Sequence, residues 1–189
     1  MRTSAATVIV AAAMALLSLL SCSRTPDPVP LPRAYPRVEA YSDSTVTLSA
    51  AGVSFGVDAE ARASSPRDGW TDIVYPRYAA AIHVSVVKPD SPEAMREAID
   101  NRLERTDLNL AGRRADTEQF VNSAGFHCRL TVTSDPAPVP LQFIAVSPSG
   151  RLVSGAVAMT GPVEPADSVA PAIRELTSDI RTLLDTLSE

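Results

Sequence analysis

The pattern of apolar and polar positions changes period several times along this chain, and each change predicts an element. Val8 to Leu20 is an almost unbroken apolar run rich in Ala and Leu, behind the single charge of Arg2. So short a run predicts a secretory leader and not a lasting membrane span. Proline at 26, 28, 30 and 32 then blocks helix and sheet ladders. It predicts an extended path through residues 23–33 at about 3.1 Å per residue. Alternating polarity begins in Thr45-Val46-Thr47-Leu48 and returns in Val53-Ser54-Phe55-Gly56-Val57. Thr71 to Val87 carries a clearer β signal. Asp72 to Tyr75 runs into a Pro76-Arg77 turn, and Tyr78, Ala80, Ile82, Val84 and Val86 share one face of the strand that leaves it. Two such runs around a short connection predict a hairpin.

At Ser91 the period becomes helical. Ser91-Pro92-Glu93 supplies a cap, a proline at the first helical position and an acid in the first turn. Met95, Ala98, Ile99, Arg102, Leu103 and Thr106 then form a stripe at three- and four-residue spacing, and Gly112 predicts the stop. Strand patterns follow over residues 118–121, 126–133, 141–147 and 151–159, with Ser147-Pro-Ser-Gly150 suited to a type I turn. Asp167-Ser168 predicts the cap of a last helix reaching about Leu187. Pro171 is expected in its first turn, and Ile173, Leu176, Ile180, Leu183, Leu184 and Leu187 on its apolar face. The sequence thus predicts one α+β domain over residues 34–189, an antiparallel sheet packed by two amphipathic helices. Its layout resembles the Mog1/PsbP-like sandwich, a likeness of architecture alone.

The leader ends in Leu19-Leu20-Ser21-Cys22, which fits a lipobox. A small residue there precedes a cysteine that takes diacylglycerol and becomes the new N-terminus, whose amine can carry a further chain such as palmitate. The expectation is a lipoprotein signal over residues 1–21, lipidation at Cys22 and a tether over residues 22–33. Each buried CH₂ contributes roughly 0.8 kcal/mol, so two or more chains anchor stably. The alternative is an ordinary cleaved leader with Cys22 near the cut. Cleavage removes Arg2, so 17 basic residues become 16 against 22 acidic ones and the net charge passes from −5 to −6. An acidic body disfavours nucleic acid as a partner. No acidic cluster follows Cys22, which favours a periplasm-facing anchor, and no later segment is expected to span a bilayer.

Candidate chemistry is sparse. With Cys22 lipidated, Cys128 is the remaining thiol, so no intramolecular disulfide can form. It shares a face with Phe126, Leu130 and Val132, as a small buried core residue would. His83 and His127, the two histidines, both oppose the core-facing positions of their strands and could share one sheet face. A two-histidine metal or acid–base site is one reading, and partly exposed strand residues the other. No spacing marks a metal site, no cofactor is implied, and GxSxG, GxxxxGK[ST] and GxGxxG signatures are missing. Arg113-Arg114 could bind an anion, or could sit at the negative end of a helix dipole. Trp70, Tyr75, Arg77 and Tyr78 crowd one hairpin. Exposed, they would make a partner-binding surface; buried, they would anchor the core. A non-enzymatic protein is expected.

Several features together resemble the gliding motility-associated lipoprotein GldD family of the Bacteroidetes. They are the lipobox cysteine, the segment Leu31-Pro-Arg-Ala-Tyr35-Pro-Arg37, and the hairpin Ile73-Val-Tyr-Pro-Arg-Tyr78 running into Ala81-Ile-His-Val-Ser85. Gly155-Ala-Val-Ala-Met159 and Asp167-Ser-Val-Ala-Pro171-x-Ile173 complete the set. Residues 43–64 fit the pattern least. The resemblance implies a cell-envelope lipoprotein supporting gliding motility and the type IX secretion machinery, with an envelope complex as partner and no catalytic residues. The alternative expectation is a periplasmic carrier that holds a small ligand in a sheet-face pocket.

Overall fold

In the computed structural model, the residues described are 44–133, 135, 137–161 and 166–189. The predicted leader, Cys22 and the Pro-rich tether lie outside them. A hairpin of β1 (Thr45–Ala50) and β2 (Val53–Asp58) comes first. Its turn needs positive φ at both central residues, and Ala51 (φ 45) and Gly52 (φ 77) supply it. Then follow β3 (Arg62–Arg67), β4 (Trp70–Tyr75), a 3-10 turn at Pro76–Tyr78 and β5 (Ala80–Val87). Helix α1 (Pro92–Leu110) leads to β6 (Ala115–Val121), β7 (His127–Thr133), β8 (Leu141–Val146) and β9 (Leu152–Met159), and helix α2 (Ala166–Asp185) follows.

Strands β3 to β9 form one antiparallel sheet in the order β3-β4-β5-β9-β8-β7-β6. Because cross-strand partners share a face, the registers sort its residues into two sides. Ile73, Ile82, Val157, Leu141 and Val132 make one row; Thr71, Val84, Gly155, Phe143 and Leu130 make the next. This apolar side is covered by α2 and the β1–β2 hairpin. Phe55, Leu176, Ile180, Leu183 and Leu184 close the core against it. Gly155 is required here: a Cβ would stand 2.3 Å from the Phe143 ring.

The opposite side is polar. Asp72, His83, Ala156, Gln142, Thr131 and Thr117 form one row, and Trp70, Ser85, Ser154, Ile144, Arg129 and Gln119 the neighbouring one. Helix α1 lies over it. The fold is the expected α+β sandwich, with the sheet as its central layer.

Local chemistry explains the element ends. Ser91 Oγ accepts from the Ala94 N–H at 3.1 Å, the predicted cap, and Pro92 opens the helix. The α1 stop falls one residue before Gly112: Ala111 takes the left-handed conformation (φ 48) and Gly112 continues it (φ 79). Arg113 donates to the Leu110 carbonyl through Nη1, so the Arg113-Arg114 pair begins as a helix terminus.

Three expectations are corrected. Tyr78 belongs to the 3-10 turn and not to β5, because Pro76 suits the start of a helical turn. Strand β3 was not expected; it is exposed on both sides, so no alternation marks it. Helix α2 starts at Ala166, ahead of the Asp167-Ser168 pair, which puts Pro171 at its sixth position rather than in its first turn. The helix forgoes a backbone hydrogen bond there.

Candidate functional site

The polar sheet side under α1 gathers the side chains with chemistry. Alternation along β4 and β5 places Trp70, Asp72, His83 and Ser85 together on it. Asp72 Oδ1 lies 2.7 Å from His83 Nδ1 and accepts from Trp70 Nε1 at 3.1 Å. The Arg67 guanidinium, from β3, stacks 4.3 Å from the centre of the Trp70 ring. One carboxylate thus fixes both an imidazole and an indole, and the indole carries a cation on its face.

Toward the middle of the sheet, Ser85 and Ser154 join hydroxyls at 2.9 Å, and Arg102 Nε of α1 donates to Ser154 Oγ at 3.2 Å. Two turns further along α1, Asn109 Nδ2 donates to Gln142 Oε1 at 2.8 Å. These contacts brace a cleft of about 260 Å³ between helix and sheet, lined by Trp70, His83, Arg102, Arg105, Asn109 and Gln142 among others. Ala156, between His83 and Gln142 in the register, leaves room on its floor.

The arrangement has the base and orienter of an acid–base pair. A nucleophile is another matter: no described hydroxyl bonds to His83, and Ser85 is engaged with Ser154. Among the described residues no group of three or more His, Cys, Asp or Glu side chains is placed to hold a metal ion. His83 and His127 do share the polar side, as expected. However, His83 lies in the row of Thr131, so His127 is three strands across and four residues along, on the order of 20 Å away. They do not form a joint site. His127 instead borders a second cleft, of about 370 Å³, on the other flank of α1 with Ile99, Leu103, Val121, Arg129 and Val146.

The hairpin aromatics divide. Tyr75 and Tyr78 are 1% and 5% exposed and stack at 6.0 Å inside the core. Trp70 is half-buried at the cleft, and Arg77 is exposed and pairs with Glu60 at 3.2 Å. Of the four residues, then, Trp70 and Arg77 reach the surface. Cys128 is buried on the apolar side; burial, and then the nearby Asp185 carboxylate, push its thiol up to about 11.

Sequence reasoning missed Asp72, Arg67, Arg102, Arg105 and Gln142 as site residues. The signal for Asp72 was present: closing the hairpin as Tyr75 opposite Ala80 puts Asp72 opposite His83. Gln142 and Ser154 come from strands far along the chain, and no local pattern announces them.

Among the described residues, no helix is long and apolar enough to cross a membrane. The family model described as gliding motility lipoprotein GldD matches residues 25–188 of the chain. No curated protein matches it.

Proposed function

Because the chain belongs to the gliding motility lipoprotein GldD family, we propose that it acts as a membrane-tethered, periplasm-facing and non-enzymatic support for assembly or stability of the gliding and type IX secretion machinery. The family match over residues 25–188 carries this reading. The lipobox at Cys22 and the proline series behind it support it, since they suit a lipid anchor followed by a spacer.

The contact surface we propose is the β3–β4 edge. Arg62 and Arg67 are exposed there, Arg67 stacks on Trp70, and Arg77 stands at the end of the same hairpin. Arginine beside a tryptophan is the composition that dominates binding hot spots. Tyr75 and Tyr78 support this surface from below.

Two measurements test the proposal. Cys22→Ala should leave the membrane fraction and impair gliding or secretion; a variant that still fractionates with membranes and works normally refutes the anchor. Crosslinking in intact cells, followed by mass spectrometry, should recover motility or secretion components with the wild-type protein and fewer with Arg62→Glu/Arg67→Glu. Efficient crosslinking that returns only this chain overturns the assembly role.

A further inference from the structure

The cleft between α1 and the sheet holds cations that no acid among the described residues answers. Five described arginines are matched by other contacts: Arg77 to Glu60, Arg96 to Glu93, Arg151 to Glu189, Arg181 to Glu118, and Arg67 to the Trp70 ring. Arg102 and Arg105 differ. Among the described residues, Arg105 has no ion pair or hydrogen bond, and Arg102 is held only through Nε, by Ser154. The two terminal nitrogens of Arg102 remain, and they form one side of the planar fork that matches a carboxylate or phosphate. In a chain with net charge −5, two unanswered guanidiniums in one recess are a local reversal of sign.

The recess is also preorganised. Ser154 is fixed by Ser85, Gln142 by Asn109, and His83 by Asp72, which Trp70 in turn holds. Side chains fixed in this way lose little further entropy on binding. A volume of about 260 Å³ suits a small molecule and not a protein segment.

We propose that this cleft binds the oxyanion of a small molecule, a phosphate or carboxylate group, on the Arg102 and Arg105 guanidiniums, with His83, Asn109 and Gln142 offering polar contacts to the rest of it. This site borders the proposed β3–β4 partner surface at Trp70, but its anion-binding groups lie on α1, so Arg62→Glu/Arg67→Glu and Arg102→Gln test the two independently.

Trp70, the single tryptophan, lines the cleft and provides the readout. The full-length protein in non-ionic detergent would be titrated with inorganic phosphate, glycerol 3-phosphate and succinate, following Trp70 emission and binding heat. The expected result is a saturable response to at least one probe, weakened about tenfold or more in Arg102→Gln and in Arg105→Gln. Arg174→Gln, on α2 at the other side of the sheet, should bind as the wild type does. Glycerol 3-phosphate binding tighter than phosphate would point to a lipid headgroup as the source; equal binding would point to free phosphate, and succinate alone to a carboxylate. Arg105 has no partner among the described residues, so Arg105→Gln should keep the wild-type urea midpoint and separates lost binding from lost folding. Silence to all three probes by both readouts, or wild-type affinity in either arginine variant, overturns the proposal.

Discussion

Asn122 shows how much one polar side chain can hold. Its Nδ2 donates to the carbonyls of Leu184 and Leu187 at 2.8 and 3.0 Å, and its Oδ1 accepts from the N–H groups of Ala124 and Phe126 at 3.0 and 2.9 Å. It therefore satisfies the Leu184 carbonyl in the last turn of α2 and the Leu187 carbonyl just beyond it, and shapes the β6–β7 turn. Asn122→Ala should cost about 3 kcal/mol in urea unfolding, because buried groups are left without partners. Asn122→Asp should be no milder, since a carboxylate cannot donate to the two carbonyls. Asp179 presents the opposite case. Burial, and then the Asp58 and Glu175 carboxylates, raise it to about 6, although a Tyr75 hydrogen bond works against the rise. Among the described residues its Oδ2 is buried without a partner. A carboxyl with a raised folded pKa binds its proton more tightly in the native state. Its contribution is therefore complete below the ordinary value of 3.8 and is lost as pH climbs toward about 6. Asp179→Asn should raise Tm at pH 7 by the equivalent of about 1–2 kcal/mol, allowing for partial exposure. It should also flatten the wild-type decline between pH 4 and 6 in a thermal melt series.

The two helices, similar on paper, are held by different forces. On α2, Ala172, Ile173, Leu176, Ile180, Leu183 and Leu184 are buried. On α1 only Thr106 is, and its hydroxyl donates back to the Arg102 carbonyl. Leu176→Ala should thus cost about 2–5 kcal/mol. Amides of α1 should exchange through a local opening that leaves the sheet intact, while those of α2 wait for global unfolding; native-state hydrogen exchange in mild denaturant distinguishes the two. Part of this contrast was legible beforehand. Two of the six positions in the predicted α1 stripe, Arg102 and Thr106, are polar, and such a stripe suits a polar surface. The α1 cap, the β4–β5 hairpin and the four later strands were also legible, and in β4, β5 and β7 burial weighted to one side imposes the alternation. Strand β3 was not: Arg62 to Arg67 is exposed throughout, and Pro66 and a register shift between Ser64 and Arg67 blunt it as an edge.

At the scale of the whole molecule, what stayed hidden was pairing between distant segments. The sequence could assign β5 and β9 their faces, but their adjacency is decided by which apolar rows fit under α2, and that brings Ser154 to Ser85 and Gln142 toward His83's row. The same closure draws in the end of the chain. Ser188 bridges to Ser54 through backbone bonds of 2.8 and 2.9 Å, and Arg151 joins Glu189 at 2.9 Å and the Ala51 carbonyl at 3.2 Å. Residues of β2, α2 and the sheet share one core, so they should unfold as one unit while α1 opens separately. Cys128 can measure this. It is 3% exposed on the core side, and at a pKa of about 11 its thiolate fraction at pH 8 is on the order of 10⁻³. In a Cys22→Ala background, where Cys128 is the sole thiol, alkylation should follow the global unfolding free energy obtained from urea. Opening of α1 should leave it protected, since α1 covers the opposite side of the sheet. Labelling at the faster rate of α1 amide exchange would mean that the core and the polar layer are a single cooperative unit.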